Sequence, residues 1–490
     1  MLNYFVVDRE KAVTAGHYCI PMLGTVTGYS MSLLKTYCRT SISFSDANSY
    51  IFEVKHARSF IGVFNRVTIE HRETTNSLYF LNKLVRKSFG EPHVFLKNNL
   101  INTNIKSTKH GHFVSDFGCF GYFGYDLFRY FRKRTDLFNK KDSIGVPDVM
   151  MYLTKALVLT YQTSIQLKSN CGLFSSQYFL NLRKLRCVVK IIYVTPSRTL
   201  IFLKRIAKKG FTTLVRTKYL GLVTKAVSYI QKGKLMQVQV SRRFVKQARF
   251  DVLQFFKSLK AINPSPYMFL LRYGFFDVLG ISPEIQIKQT TQRQGYLTII
   301  KPIAGTRPRG RTVNEDLRFE AMLRSDLKEI AEHVMLVDLA RNELGIASTY
   351  DSVYCFNLMS IEKYSHVQHI VSTVKSKINR NSTMDILKIA FPAGTVTGTP
   401  KLKAMDIIDK LEPMKRSFYG GTIGYISTND IETAITIRTS LIHKQRTYLQ
   451  SAAGIVFHSK PVGEVKETEN KVVAILSCIN KIAGGSTIHI

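Results

Sequence analysis

The sequence predicts an α+β fold built on antiparallel sheet. Between residues 265 and 305 the apolar stretches 267–272, 277–280 and 296–301 follow one another without the helical crossovers that parallel strands need. Capped segments of helical periodicity come after them. A chain of 490 residues with 45% hydrophobic content can also bury the large core such a fold requires.

From the start to about residue 215 the text is irregular. Short strand-like stretches at 191–194 and 200–203 are separated by turn-rich runs such as 98–112. One segment stands out, Gly118-Cys119-Phe120-Gly121-Tyr122-Phe123-Gly124-Tyr125-Asp126. Its glycines let backbone pass close to other chain and its aromatics imply a packed interior, so a structural role is expected. Cys19, Cys38, Cys119, Cys171, Cys187, Cys355 and Cys478 form no C-x-x-C pair, which argues for reduced thiols rather than zinc ligands or a disulfide framework.

The formal charge is +36, and so basic a chain attracts phosphate backbones through counterion release. The basic residues, however, are spread along the whole length. They cluster only briefly, at Arg132, Lys133 and Arg134 and at Lys204, Arg205, Lys208 and Lys209, with no nucleic-acid-binding motif beside them. A solvated basic surface is expected, with neither nucleic acid nor membrane as partner. No run of about 18 apolar residues and no signal-peptide layout is present. The expected location is a cytoplasm, or a plastid stroma if the chain is organelle-encoded.

Residues 313–342 read as one helix, with Thr312 and Glu315 as a capping box, Leu323, Leu327, Ile330 and Val334 at helical spacing, and Gly345 just past the end. On it Glu329 and Glu332 leave adjacent turns on one side, beside the apolar stripe. Glu464 and Glu467 repeat the spacing at the start of a C-terminal helix with Val472, Val473, Ile475, Leu476 and Ile479 inward. Oxygen-only ligands on two rigid helices suit Mg²⁺, which binds through one or two carboxylates and completes its shell with water and an anionic substrate. The same spacing also fits two solvated faces, with Lys328 before Glu332 and Lys466 beside the second pair.

Two loops offer anion sites. Residues 302–310 supply backbone amides, Arg307 and Arg309 between a strand and the helix; residues 391–401 carry Gly394 and Gly398 into the helix of Ala404, Ile407, Ile408 and Leu411. The order of a phosphate-binding P-loop is absent. His369 shares one face of the alternating strand 366–372 with Val367 and Val371, where an imidazole is either a satisfied core group or a fixed proton carrier. Arg438, in the alternating stretch 434–439, reads as a strand arginine in need of a buried anion.

These pieces, in this order, resemble the chorismate-utilising enzyme family from about residue 225 to the C-terminus, with weaker patches at 58–62, 118–126 and at Pro147 and Asp148. The resemblance implies large antiparallel sheets packed as a sandwich with helices around them. It also implies two interlocked parts: a divergent N-terminal region, 1–215, with tryptophan-site and partner-docking elements, and a catalytic region, 216–490. Carried over residue by residue, it makes Glu332 and Glu467 direct Mg²⁺ ligands, with Glu329 and Glu464 beside them. It has Gly305, Thr306, Thr395, Tyr419, Arg438, Ala452, Ala453, Gly454 and Lys471 contact the carboxylates of chorismate. Glu284 becomes the acid that protonates the departing C4 hydroxyl, and His369, with Thr306 beside it, the proton carrier of pyruvate loss.

Gln237 stands where water-adding members of the family carry a lysine base, which implies ammonia as nucleophile. Ala304 stands where the folate-branch members, the aminodeoxychorismate synthases, carry a lysine nucleophile, which implies direct attack at C2. The anthranilate-forming branch is therefore expected, the first step of tryptophan biosynthesis. The folate branch is the alternative, and a nucleic-acid-binding protein on a retired scaffold a more distant one. No glutaminase-type cysteine motif is seen, so ammonia is expected from a separate glutamine amidotransferase subunit, in a hetero-oligomer. Asn263 to Met268, including Pro266, Tyr267 and Met268, match an allosteric L-tryptophan site. Val54 replaces that site's serine, so feedback is expected to be weakened. Ala452, where a glycine is usual, is expected to be tolerated.

Overall fold

Antiparallel pairing organises the chain into two sheets, of 14 and 12 strands among the described residues. The structure is a computed structural model that describes residues 2–6, 19–27, 48–55, 59–63, 67–72, 74–80, 83–101, 118–131, 140–153, 156–161, 164–172, 206–207, 211–212, 216–364, 367–379 and 383–483. Arg58, residues 102–112, the stretches at 191–194 and 200–203, both basic clusters and His366 lie outside them. Residues 98–101, expected to be turn-rich, instead close a helix, Pro92–Ile101.

The strands that matter for the site are β1 (Asn48–Val54), β2 (Ser59–Val63), β3 (Cys119–Phe123), β4 (Val149–Leu153), β5 (Gln237–Arg249), β6 (Tyr267–Tyr273), β7 (Phe276–Ser282) and β8 (Ile285–Thr291). They continue with β9 (Tyr296–Ile300), β10 (Ile303–Pro308), β11 (Val367–Ile378), β12 (Thr422–Ile426), β13 (Ile431–Ile435), β14 (Thr439–His443) and β15 (Arg446–Ile455). The first sheet contains the order β2-β1-β6-β7-β14-β15-β5, the second β10-β11-β9-β8-β13-β12-β3-β4. Strands from before and after residue 215 are thus neighbours in both sheets.

Strand periodicity explains how the sheets stack. In β1, Tyr50, Phe52 and Val54 point between the sheets while Ile51 points to the outer face; in β6, Tyr267, Phe269 and Leu271 point in and Met268 and Leu270 out. Tyr50 stacks on Phe120 of the opposite sheet with ring centroids 4.0 Å apart, and Phe60 on Tyr425 at 5.2 Å. The glycine-rich segment 118–126 is structural, as expected: a Cβ at Gly121 would stand 2.0 Å from the Met150 carbonyl oxygen of β4.

Helices α1 (Arg216–Gln231), α2 (Val252–Ile262), α3 (Val313–Ser325), α4 (Leu327–Gly345), α5 (Lys401–Leu411) and α6 (Pro461–Ala483) cover the outer faces. The single helix expected over 313–342 is in fact α3 and α4, broken at Asp326. Its carboxylate accepts from the backbone amides of Lys328 (3.1 Å) and Glu329 (3.3 Å), so an aspartate within an apolar repeat starts a new helix. The break turns the stripe: Leu323 is buried, whereas Leu327 is 81% and Val334 49% exposed. The expected cap at Thr312 forms, its hydroxyl accepting from Glu315 N at 3.2 Å. In α6, Val472, Ile475, Leu476 and Ile479 are buried as expected, but Val473 faces outward. Among the described residues Cys119 and Cys478 are buried thiols and Cys355 an exposed one, and no helix is long and apolar enough to cross a membrane.

Candidate active site

Two of the places where the chain passes from one sheet to the other lie side by side. From β7 it enters β8 through Pro283 and Glu284; from β13 it returns to β14 through Thr436, Ile437 and Arg438. Backbone bonds tie the crossings together: Ile435 N donates to Glu284 O at 3.0 Å and Ile281 N to Arg438 O at 3.2 Å. Arg438 is therefore not a strand residue. It occupies a bend with φ 49°, a left-handed conformation costly for a side-chain-bearing residue. Both side chains line a cavity of about 660 Å³, ample for a small-molecule substrate.

Glu284 is 7% exposed. Burial pushes its carboxyl up to about 8, against the pull of the neighbouring Thr395 hydroxyl, Arg438 and Lys471. It carries a proton at neutral pH, as an acid catalyst must. Among the described residues the Arg438 guanidinium makes no ion pair, and burial pulls it down despite Glu284 and Tyr364. It is a cation available to an anionic ligand.

His369 lies on β11, opposite Thr306 of β10. A bulge at Gly305, with φ 68°, turns that residue's carbonyl to accept from His369 Nδ1 at 2.9 Å, while Thr306 Oγ1 stands 3.1 Å from the same nitrogen. A carbonyl cannot donate, so Nδ1 carries the proton. Burial holds the imidazole below its ordinary 6.5, which leaves a neutral ring with its lone pair on Nε2. Gly305 also packs closely, since a Cβ there would meet Leu323 Cδ1 at 3.0 Å and Glu329 Cβ at 3.4 Å.

Both glutamate pairs reach the same cavity, Glu329 and Glu332 from the start of α4 and Glu464 and Glu467 from the start of α6. Gln237 Nε2 donates to Glu332 Oε1 at 2.6 Å, and Lys471 Nζ donates to Glu467 Oε1 at 2.7 Å and to Ala452 O at 2.9 Å. Burial first, and then the like charge of Glu332 and Glu467, raises the carboxyls of Glu329 and Glu464. Glu464 Oε2 is buried without a hydrogen-bond partner. Among the described residues no three such side chains converge on one point. A hard divalent cation needs only one or two of them, with water and an anionic substrate completing its shell, and crowded carboxylates with an orphaned oxygen fit that requirement.

Gln237, Gly305, Thr306, Thr395, Tyr419, Ala452, Gly454 and Lys471 line the cavity with these groups. Gly454 abuts the amides of Gln237 and Gln239, to which a Cβ would come within 2.9 Å. Ala453 does not line it: strand alternation turns its side chain into the core with Val238 and Val240. The two loops contribute less than expected. Residues 303–308 form β10, and Arg307 and Arg309 are held by Asp326 (2.6 Å) and Asp316 (2.7 Å). Lys401, at the start of α5, pairs with Glu343 at 2.7 Å, and of that second loop only Thr395 and Val396 line the cavity. Gln239 and Lys328 also line the cavity. The first shares the strand face of Gln237 and was legible from period two; the second had read as a surface partner of Glu332.

Val54 and Tyr267 face each other across β1 and β6, and Lys55 N donates to Pro266 O at 2.8 Å. Met268 points to the opposite face of the sheet. None of Val54, Pro266, Tyr267 and Met268 lines the large cavity.

The family model described as chorismate binding enzyme matches residues 52–477. Component 1 of anthranilate synthase from Acinetobacter calcoaceticus is 35% identical over 379 residues, 75% of this chain and 75% of that one. The same component from Acetivibrio thermocellus is 38% identical over 377 residues, 74% and 75% of the two chains. Among solved structures, anthranilate synthase component I from Streptococcus pneumoniae superposes with a TM-score of 0.73 at 30% identity, covering 86% of this chain and 93% of its own. The menaquinone-specific isochorismate synthase of Escherichia coli shares the fold, with a TM-score of 0.70 at 16% identity over 94% and 95% of the chains. The chain therefore belongs to the chorismate binding enzyme family, where the relatives it resembles are component 1 of anthranilate synthase.

Proposed function

We propose that this chain makes anthranilate from chorismate and ammonia, with Mg²⁺ as cofactor and loss of pyruvate. One observation carries the reading: a single cavity joins a protonated acid, Glu284, a neutral imidazole, His369, an arginine without an ion pair among the described residues, Arg438, and four glutamates from two helices. Glu332 and Glu467 would hold the metal directly, with Glu329 and Glu464 beside them. When bound, Mg²⁺ supplies a charge clamp for the substrate's ring carboxylate. Arg438, Lys471, Thr395, Tyr419 and the backbone at Gly305 and Gly454 bind and orient the rest of the dianion.

In the first step a C–N bond forms between ammonia and C2. The ring double bonds shift, and the C4 hydroxyl leaves as water with the proton of Glu284. The new ammonium group then releases one proton to solvent, and Glu284 regains one. In the second step His369 Nε2 takes the C2 proton, the C3–O bond breaks, the ring becomes aromatic, and pyruvate gains a proton at its methyl carbon.

The choice of nucleophile rests on two side chains. Gln237 is engaged with Glu332 and is no base for water, and Ala304, on the cavity wall, cannot capture C2 covalently. Ammonia is supplied by a glutamine amidotransferase subunit, and L-tryptophan feedback acts weakly through the Val54 site. Chromatography of the products from chorismate, Mg²⁺ and ammonium tests the branch, with anthranilate expected. Aminodeoxychorismate from the wild type, or isochorismate in the absence of ammonium, would overturn it. Ala304→Lys should divert product toward aminodeoxychorismate.

A further inference from the structure

In α4 the buried stripe runs through His333, Leu336, Val337, Ala340 and Leu344 at helical spacing. Its first member is an imidazole where the repeat calls for an apolar side chain. His333 is 0% exposed, and its Nε2 lies 2.6 Å from the Ser372 hydroxyl of β11, three residues beyond His369. The same oxygen accepts from Met359 N at 2.9 Å. Met359 belongs to a strand, Tyr354–Lys363, that pairs with β11. A bulge between Phe356 and Ser360 interrupts that pairing, with Asn357 and Met359 in left-handed backbone at φ 51° and 53°, a conformation costly for residues with side chains. Helix and both strands thus meet at one buried oxygen. Stability alone does not account for the junction, because Nδ1 of His333 is buried with no hydrogen-bond partner, and a leucine would fill the stripe without an orphaned polar atom.

We propose that His333 is a positioning residue of the reaction: its bond to Ser372 fixes the two glutamates of α4 at a set distance from the imidazole of His369. The inference rests on the reading of Glu332 as a metal ligand. Apolar side chains hold a helix against a sheet but let it roll and slide slightly. A short hydrogen bond between two buried groups does not. Glu332 is the residue before His333 and Glu329 lies one turn earlier, so any roll of α4 moves both carboxylates. On β11, His369 precedes Ser372 by three residues and points to the opposite face, into the cavity. His333 itself does not line that cavity. It acts through the two elements that do.

The test is calorimetric titration of the full chain with Mg²⁺, in the presence of chorismate and without ammonium, so that no amination occurs. His333→Leu and Ser372→Ala should each weaken Mg²⁺ binding about tenfold. The double variant should bind no more weakly than either alone, as for two ends of one bond. His333→Gln, whose amide nitrogen reaches where Nε2 stands, should stay within about twofold of the wild type. Leu344→Ala opens a cavity under the far end of the same helix. It should lower the thermal midpoint and leave Mg²⁺ binding unchanged. Wild-type affinity in both His333→Leu and Ser372→Ala, or equal weakening in Leu344→Ala, overturns the proposal. Ser372→Ala, which removes a single oxygen, decides alone if His333→Leu does not fold. A wild type that binds no Mg²⁺ overturns the metal reading and this inference with it, whereas variants that match a wild type that does bind overturn this inference alone.

Discussion

Replacing Glu284 by glutamine should remove activity and raise stability at alkaline pH, through one cause. In the unfolded chain this carboxyl ionises near its ordinary 4.5, and in the folded protein burial moves it to about 8. Between those values the folded state holds a proton that the unfolded state has released. Wild-type stability therefore falls as pH rises through this window, by about 1.4 kcal/mol per pH step and at most about 5 kcal/mol in all. Glutamine keeps the shape and does not titrate, while the other groups contribute equally to both proteins. The stability of the variant relative to wild type should thus grow by several kcal/mol between pH 5 and pH 9, read from urea titrations followed by circular dichroism without ligand. In parallel, wild-type kcat/KM at a fixed concentration of free ammonia should decline above about pH 8, and the variant should lose about 10² to 10⁴-fold. A stability difference that stays flat from pH 5 to pH 9 would mean an ordinary carboxyl and would take Glu284 out of the role of acid.

Asp326→Ala removes the cap of α4 and the partner of Arg307. It should cost about 1 to 2 kcal/mol of stability in thermal melts and raise the Mg²⁺ concentration needed for half activity, since Glu329 and Glu332 follow in the next turns. Val54→Ser restores a hydroxyl opposite Tyr267, and L-tryptophan should then inhibit at least about tenfold more strongly than in the wild type, the value of one hydrogen bond to a charged ligand. Equal inhibition of the two proteins would place tryptophan elsewhere.

The site was legible where chemistry and local period coincide. The i, i+3 spacing of Glu329 with Glu332 and of Glu464 with Glu467 puts each pair on one side of a helix whatever the tertiary fold, and strand alternation put His369 on a buried face. Alternation fails where the chain changes sheet. Arg438 reads as a strand residue because apolar neighbours surround it, yet those neighbours belong to a crossing whose path depends on two sheets stacking. Asp326 was hidden for the opposite reason: one capping aspartate interrupts a repeat that continues on both sides of it. Arg307 and Arg309 looked available for substrate because their partners, Asp326 and Asp316, lie on helices whose docking the loop does not encode. The order of strands was illegible for a similar reason, since pairs such as β12 with β3 join residues some 300 positions apart, and no short window of sequence records them.

In the proposed reaction metal, acid and imidazole act on the same substrate within one cavity. Anthranilate fluorescence from the purified chain, with chorismate and ammonium at alkaline pH and with or without Mg²⁺, tests this most directly when wild type is set beside Glu467→Gln. Fluorescence that appears only with Mg²⁺ and only in the wild type is the predicted result. Anthranilate formed equally well by Glu467→Gln, or without Mg²⁺, would contradict the account.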